Sequence, residues 1–407
     1  MDEQRRVHLP GRLSGGMLHT AVCVLLSCSL TVADGASRTT SRTPTVAVRE
    51  SRPDSQPSLS PFDYARVVRM SFPWLPESEK IRYYDRVTGQ RLENLPVLPY
   101  PTGPLAGGWY CPAGTNQGRA GKIGFIDRLG NWVIPPQFTW TDSFKEGRAP
   151  VGVGKQVGVI DRAGRWVVKP GRYDKIFPYM EGRASFRQKG KWGFLGLDGE
   201  VAIPARYGMV RSFSHGAAIV QDEKGWHCID REGKTRFRLA GQPLGWCFSD
   251  GLLLVDEEAV LGRRVLFGED TTVSGCGYMS LDGKIAIPLG FDCAEGFSEG
   301  LAVVGMSRDD TEAWPAYRYG AIDVKGRLVV PLGYDQLSLF RDGLAAFRRV
   351  GKWGYLDRHG KEVIPARFQR ARPFFDGLAE VAIGGKVAVI DISGRVVIRT
   401  DVEWVEF

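Results

Sequence analysis

The seven cysteines include no Cys-x-x-Cys pair and no zinc-like spacing, which excludes zinc ribbons and thioredoxin-type dithiols. No His-Glu-x-x-His or P-loop pattern is present, so neither a zinc-peptidase helix nor a nucleotide-phosphate loop is encoded. Histidine is scarce: beyond the N-terminal region only His215, His227 and His359 remain. Lysine and arginine form no run, and no basic stripe with interleaved aromatics marks a nucleic-acid surface. The apolar stretch Met17 to Leu30 falls short of the roughly 20 residues that a permanent membrane-spanning helix needs. These residue types lead us to expect no metal, no cofactor and no nucleic-acid partner.

What is abundant is glycine, 51 residues in 407, together with 11 tryptophans and 20 phenylalanines. That combination excludes collagen-like and disordered chains and points to many short strands joined by tight turns. The formal net charge is +8; residues 1–60 hold seven Lys/Arg against five Asp/Glu, so they supply +2 and the rest +6, spread along the chain. Such a surface could favour anionic glycans or lipid head groups, and it also suits an ordinary soluble protein. At the N-terminus Arg5, Arg6 and Arg12 precede the apolar stretch, and Val32-Ala33-Asp34-Gly35-Ala36 supplies small residues. Basic, then apolar, then small is the order of a secretory signal peptide, assigned to residues 1–36. Leu25-Leu26-Ser27-Cys28 resembles a bacterial lipobox, so Cys28 is a lipidation candidate; otherwise it leaves with the signal. Residues 37–60, rich in Ser, Thr, Arg and Pro, read as a flexible tether. In an oxidising compartment the remaining cysteines could pair between neighbouring units or stay as buried thiols.

Self-similarity organises the rest. Aligned on Gly354, the anchors are Gly124, Gly158, Gly193, His227, Gly277, Gly320, Gly354 and Ala388. Six residues after each anchor stands a glycine: Gly130, Gly164, Gly199, Gly233, Gly283, Gly326, Gly360 and Gly394. A large apolar residue follows each anchor by two positions, and Asp follows by three in six of the eight units. Each unit also carries an upstream aromatic-x-x-Gly, such as Phe340 to Gly343, usually eleven residues before the anchor. In the first, fifth and sixth units that gap widens to 21, 26 and 20. Leu-Ala-x-Val, Lys-Trp-Gly-Tyr-Ile-Asp and Val-Ile-Pro segments are short and rich in β-branched or aromatic residues, which signals strands. Asp-x-x-Gly makes the turn between the second and third, with the carboxylate accepting a backbone N–H and Gly supplying positive φ. Gly354 lacks a side chain so that another strand or a ring can approach its backbone. Pro365 is expected to end the third strand.

Trp192-Gly193 and Trp353-Gly354, with Gly-Lys-Trp-Gly-Tyr-Leu-Asp followed by Gly-Lys-Glu-Val-Ile-Pro, resemble the WG repeat family over about residues 100–398. Ile123, Val157, Cys276, Tyr319 and Val387 replace the Trp, His227 replaces the Gly, and Val387-Ala388 lacks both. The resemblance implies a β-rich repeat without known catalytic residues, hence binding or scaffolding.

The expected fold is all-β: a tandem repeat of short three-stranded antiparallel units, stacked as an open β-solenoid or closed into a propeller-like ring. Residues 61–99 form an N-terminal cap with a degenerate half-repeat around Ile81 to Gly89, residues 100–398 eight units, and residues 399–407 a C-terminal strand or tail. The expected function is a non-catalytic binding or scaffold protein of the bacterial envelope, recognising protein or glycan. It would be periplasmic, outer-membrane-anchored or secreted, touching membrane only through a lipid anchor. The alternative is a glycan-cleaving hydrolase with its site in the inserted loops. All three insertions (104–120, 252–275 and 302–318) fall between the first and second strands of their units, which places them on one edge. Arg263, Arg264, Asp309, Asp310, Trp314 and Tyr317 are the candidate binding residues there, charges beside exposed aromatics.

Overall fold

A computed structural model describes residues 67–71, 81–92, 98–99, 111–114, 122–127, 131–262, 275–307 and 317–405. These all belong to one compact unit, Leu59–Phe407. The signal segment, the tether and Cys28 lie outside the described residues.

Among the described residues nine small antiparallel sheets follow one another in sequence, with none closed into a barrel. In the eighth, Leu344–Arg349, Lys352–Asp357 and Glu362–Phe368 are the three strands expected. A fourth strand, Gln336–Leu337, pairs with the first of these through Gln336–Arg348 and Leu337–Phe347. Two residues are too few to show any alternation, so this strand leaves no periodic signal. Among the described residues one short helix, Glu257–Leu261, interrupts the pattern; Asp256 caps its first turn and Gly262 ends it in the left-handed region.

Pro365 does not end its strand. It lies inside Glu362–Phe368, where Tyr355 pairs with Ile364 and Trp353 with Phe368, so three residues, Pro365 to Arg367, oppose the single Gly354. Proline suits that bulge on the outer strand of the sheet, where its missing N–H breaks no ladder. The bulge presses its backbone onto Gly354: a Cβ there would sit 2.5 Å from the Ile364 oxygen and 2.7 Å from the Ala366 nitrogen. Gly193 meets the Ile203 oxygen at 2.5 Å and Gly320 the Val330 oxygen at 2.5 Å in the same way. All six glycine anchors face a proline-bearing strand, whereas the strands beside His227 and Ala388, Thr235–Arg238 and Val396–Glu403, contain none. The Trp-Gly glycine and the Val-Ile-Pro proline are therefore one packing device.

Stacking follows one rule. The residue after the anchor meets, across the interface, the residue two after the next anchor: Val159 with Leu195, Phe194 with Ile229, and Tyr355 with Ile390. Each interface buries several such side chains, and at roughly 1.5–3 kcal/mol apiece the stack stabilises sheets that could not persist singly.

The same rule joins the last sheet to the first. Met70 and Tyr84, from Val67–Ser71 and Ile81–Asp85, are buried with Val387, Val389, Ile398 and Val402. Arg82 donates to Asp401 at 2.6 Å, and Arg86 donates to the Asp376 carboxylate at 2.8 Å and its carbonyl at 2.7 Å. The segment expected as a degenerate half-repeat is thus a three-stranded sheet packed against the end of the array, a contact that favours the ring over the open arrangement. The C-terminal tail continues the last strand to Glu403 instead of forming a separate one.

Candidate functional site

Each sheet presents two edges, and the two are built differently. The first carries the Asp-x-x-Gly turns and the aromatic-x-x-Gly turns. Asp161 accepts from the backbone N–H of Ala163 and Arg165, each at 2.9 Å, and from the Arg165 guanidinium at 2.8 Å; Asp323 and Asp391 do the same in their units. Where Gly196 stands in place of Asp, Asp198 caps the turn by accepting from Glu200 N–H at 3.0 Å. The hydrogen bonds from Arg327 and Lys325 hold the Asp323 carboxyl below the usual carboxylate range. Because that folded-state value is depressed, its stabilisation is complete above about pH 4 and is lost as pH falls through the lowered value. Asp323→Asn should therefore melt earlier than the parent at pH 7, with the gap in melting temperature closing towards pH 2. A gap independent of pH would show that the carboxylate is not the source.

The second set of turns on this edge forms a ladder that periodicity alone does not reveal. The residue before the turn glycine is Glu146, Glu181, His215, Asp250, Glu299, Asp342 or Asp376, all with positive φ. Each acidic side chain reaches the next turn. Gly182 N–H donates to Glu146 at 2.7 Å, Gly216 N–H to Glu181 at 2.7 Å, and Gly300 N–H to Asp250 at 2.8 Å. Gly343 N–H donates to Glu299 at 3.0 Å, Gly377 N–H to Asp342 at 2.8 Å, and Arg86 takes the donor role at Asp376. Burial pushes the Glu181 carboxyl up, but bonds from Gly216, Arg231 and His215 outweigh it and hold the group low. Arginines complete the edge, Arg148 donating to Leu197 O at 2.9 Å and Arg183 to Arg231 O at 3.1 Å. Gly296-Phe297-Ser298-Glu299-Gly300 spells the Gly-x-Ser-x-Gly of serine hydrolases, yet here it forms a hairpin turn, not a strand-to-helix elbow. Ser298 spends its hydroxyl on Phe340 O at 2.8 Å.

The opposite edge carries the hairpins that join strands such as Leu344–Arg349 and Lys352–Asp357, where the insertions were expected. Junction residues cap them: Val350 N–H donates to Asp335 at 3.1 Å and Gly385 N–H to Gln369 at 2.6 Å. Lys155, Lys189, Lys191, Lys352 and Lys386 are exposed at the hairpin ends of the third, fourth, eighth and ninth sheets, and none is ion-paired among the described residues. These lysines are spread out in sequence at the repeat spacing; the fold gathers them on one edge. The insertions of the fifth and sixth units open here. One follows Leu252–Val255 and the short helix and returns at Cys276; the other lies between Ser307 and Tyr317, which pair directly. The first insertion differs, since Cys111–Gly114 forms a strand within it. Of the expected binding residues, Arg263, Arg264, Asp309, Asp310 and Trp314 lie outside the described residues. Tyr317 stands at the mouth of its insertion, half-buried, with its ring 6.2 Å from Tyr319.

Residues 239–246 form a further elaboration of this edge. The guanidinium of buried Arg211 lies 5.3 Å from the Trp226 ring and 4.8 Å from that of Trp246, and donates to the carbonyls of Gly245 and Pro243. His227 occupies its anchor buried beside Tyr207, with ring centroids 5.8 Å apart. It makes no cluster with His215 or His359, which lie in turns on the other edge. Cys228, Cys276 and Cys293 are free thiols, and among the described residues no group of His, Cys, Asp and Glu is arranged to hold a metal.

No curated protein matches this sequence. Among solved structures, a eukaryotic initiation factor aligns with 77% of this chain and 90% of its own, at 10% identity and a TM-score of 0.44. AztD from Citrobacter koseri aligns with 79% of this chain and 92% of its own, at 11% identity and a TM-score of 0.31. The β-propeller domain of the Trilobed protease from Pyrococcus furiosus aligns with 65% of this chain and 99% of its own, at 11% identity and a TM-score of 0.33. Likenesses this distant say nothing of function. The WG containing repeat model matches six times, at residues 123–155, 158–192, 192–226, 277–306, 319–353 and 353–386. Those matches fall on the sheets whose glycine and proline interlock, and the chain belongs to the WG repeat family.

Proposed function

We propose that this chain is an exported, non-catalytic binding or scaffold protein of the bacterial envelope that holds a protein or glycan partner on its hairpin edge. The observation that carries this reading is the contrast between the edges. On one, turn carboxylates and arginines are engaged in joining neighbouring sheets. On the other, unpaired lysines project and the insertions at 263–274 and 308–316 emerge from adjacent sheets. Lengthening a hairpin costs the fold little, about 0.6 kcal/mol per doubling, so elaboration collects where it does not disturb the stack. The test is capture of envelope partners by a chain with both insertions shortened. Export rests on the N-terminal pattern, and mass spectrometry of the mature protein should find its first residue between Cys28 and Ser37. Acylated Cys28 would identify a lipoprotein, whereas an intact Met1 would overturn export.

A further inference from the structure

We propose that the groove between the eighth and ninth sheets, at their hairpin ends, binds an acidic oligosaccharide. The inference rests on the binding-edge reading and assigns to it a ligand chemistry. The groove measures about 510 Å³ and is lined by Lys352, Gln369, Arg370, Ala382 and Trp404 among others. A neighbouring hollow of about 460 Å³ shares Lys352, Gln369 and Ala382 and adds Arg367. Either volume falls within the range of small-molecule sites.

No carboxylate lines the groove or the hollow, and the Lys352 ammonium has no ion-pair partner among the described residues. Arg348 and Trp353 pair across adjacent strands next to Lys352 without lining the groove, and Arg348 Nε and Trp353 Nε1 are buried and unmatched, as is Arg187 Nε in the fourth sheet. The Lys352 ammonium and the Arg367 and Arg370 guanidinium groups, which line the groove and the hollow, can only donate. The complementary ligand is therefore rich in acceptors and negatively charged.

The molecule contains its own comparison. In the fourth sheet, Arg187 and Trp192 occupy the places of Arg348 and Trp353, and Phe177 stacks on Trp192 with ring centroids 5.5 Å apart and planes at 22°. Ser338 stands where Phe177 would be, and its hydroxyl is engaged by Ala346 N–H at 2.9 Å. Trp353 consequently has no ring partner among the described residues. Trp404, held by Arg372 at 5.3 Å from its ring, is the indole that lines the groove. At the rim, Val350 is 89% exposed with φ of 50°. A β-branched residue is strained there, and such strain gathers at functional sites. Oxyanions for the donors and C–H faces for the indoles are both supplied by acidic sugars.

The experiment is titration of the mature chain with oligogalacturonate, neutral galacto-oligosaccharide and single-stranded oligonucleotide, read by calorimetry at low and moderate salt. Oligogalacturonate should bind with salt-sensitive affinity while the neutral sugar does not. Lys352→Ala should weaken binding by at least about tenfold, the scale of a lost charge-assisted hydrogen bond. Trp404→Ala, which removes the indole that lines the groove, should weaken it several-fold; Lys325→Ala, in a turn on the opposite edge, should change nothing. Equal binding of the neutral sugar, tighter binding of the oligonucleotide, or indifference to Lys352→Ala would overturn the proposal. A chain with shortened insertions should still bind oligogalacturonate. Capture of envelope partners without any oligogalacturonate binding would sink this inference alone and leave the wider reading standing.

Discussion

Gly354→Ala is expected to destabilise the fold by at least about 3 kcal/mol, beyond the usual range for a single added methyl group. The obstruction is backbone on two sides, the Ile364 oxygen at 2.5 Å and the Ala366 nitrogen at 2.7 Å, and neither can rotate away. Gly343→Ala is the control. Nothing lies within 4 Å of its would-be Cβ, and only the positive φ of 77° opposes substitution, at about 1 kcal/mol. Denaturant titration of the two variants should separate them clearly. Equal costs would mean that the Trp-Gly glycine serves turn flexibility, not close approach.

Tyr84→Ala should cost about 3 kcal/mol, as large aromatic truncations in cores do, although Tyr84 belongs to the most degenerate sheet. Its side chain is 3% exposed and packs with Val387, Val389 and Ile398, more than 300 residues later in sequence. Arg86→Ala, which removes a part-exposed pair with Asp376, should cost under about 1 kcal/mol and less at high salt. If the first sheet merely frays, Tyr84→Ala will leave the melting temperature unmoved, and the link between first and last sheets is then absent.

The repeat, its turns and the interior positions were legible because period-two alternation and Asp-x-x-Gly are local, and each turn aspartate caps its own neighbours. Three features were not. The two-residue first strands carry no period, so Gln336–Leu337 and its equivalents left no trace. The role of Pro365 depends on a bulge facing Gly354, a relation between strands that spacing along the chain does not state, although the shared absence of glycine and proline around His227 and Ala388 is its signature. The acidic residue before six of the turn glycines was present in the sequence, yet in five of them its partner is the N–H of the following turn. The lysines at hairpin ends repeat the same lesson. A charge spread thinly along the chain gathers on one edge of neighbouring sheets once they stack.

The measurement that bears most directly on the account is a paired one, thermal stability and partner capture from envelope extracts, for the parent and for a chain with 263–274 and 308–316 shortened to regular hairpins. The helix Glu257–Leu261 stays, because Ala259 is buried in the core. The account predicts a melting temperature within a few degrees of the parent and loss of capture. Retained capture would contradict it and place the partner elsewhere, on the Trp- and Tyr-bearing strand face or on the edge of turns.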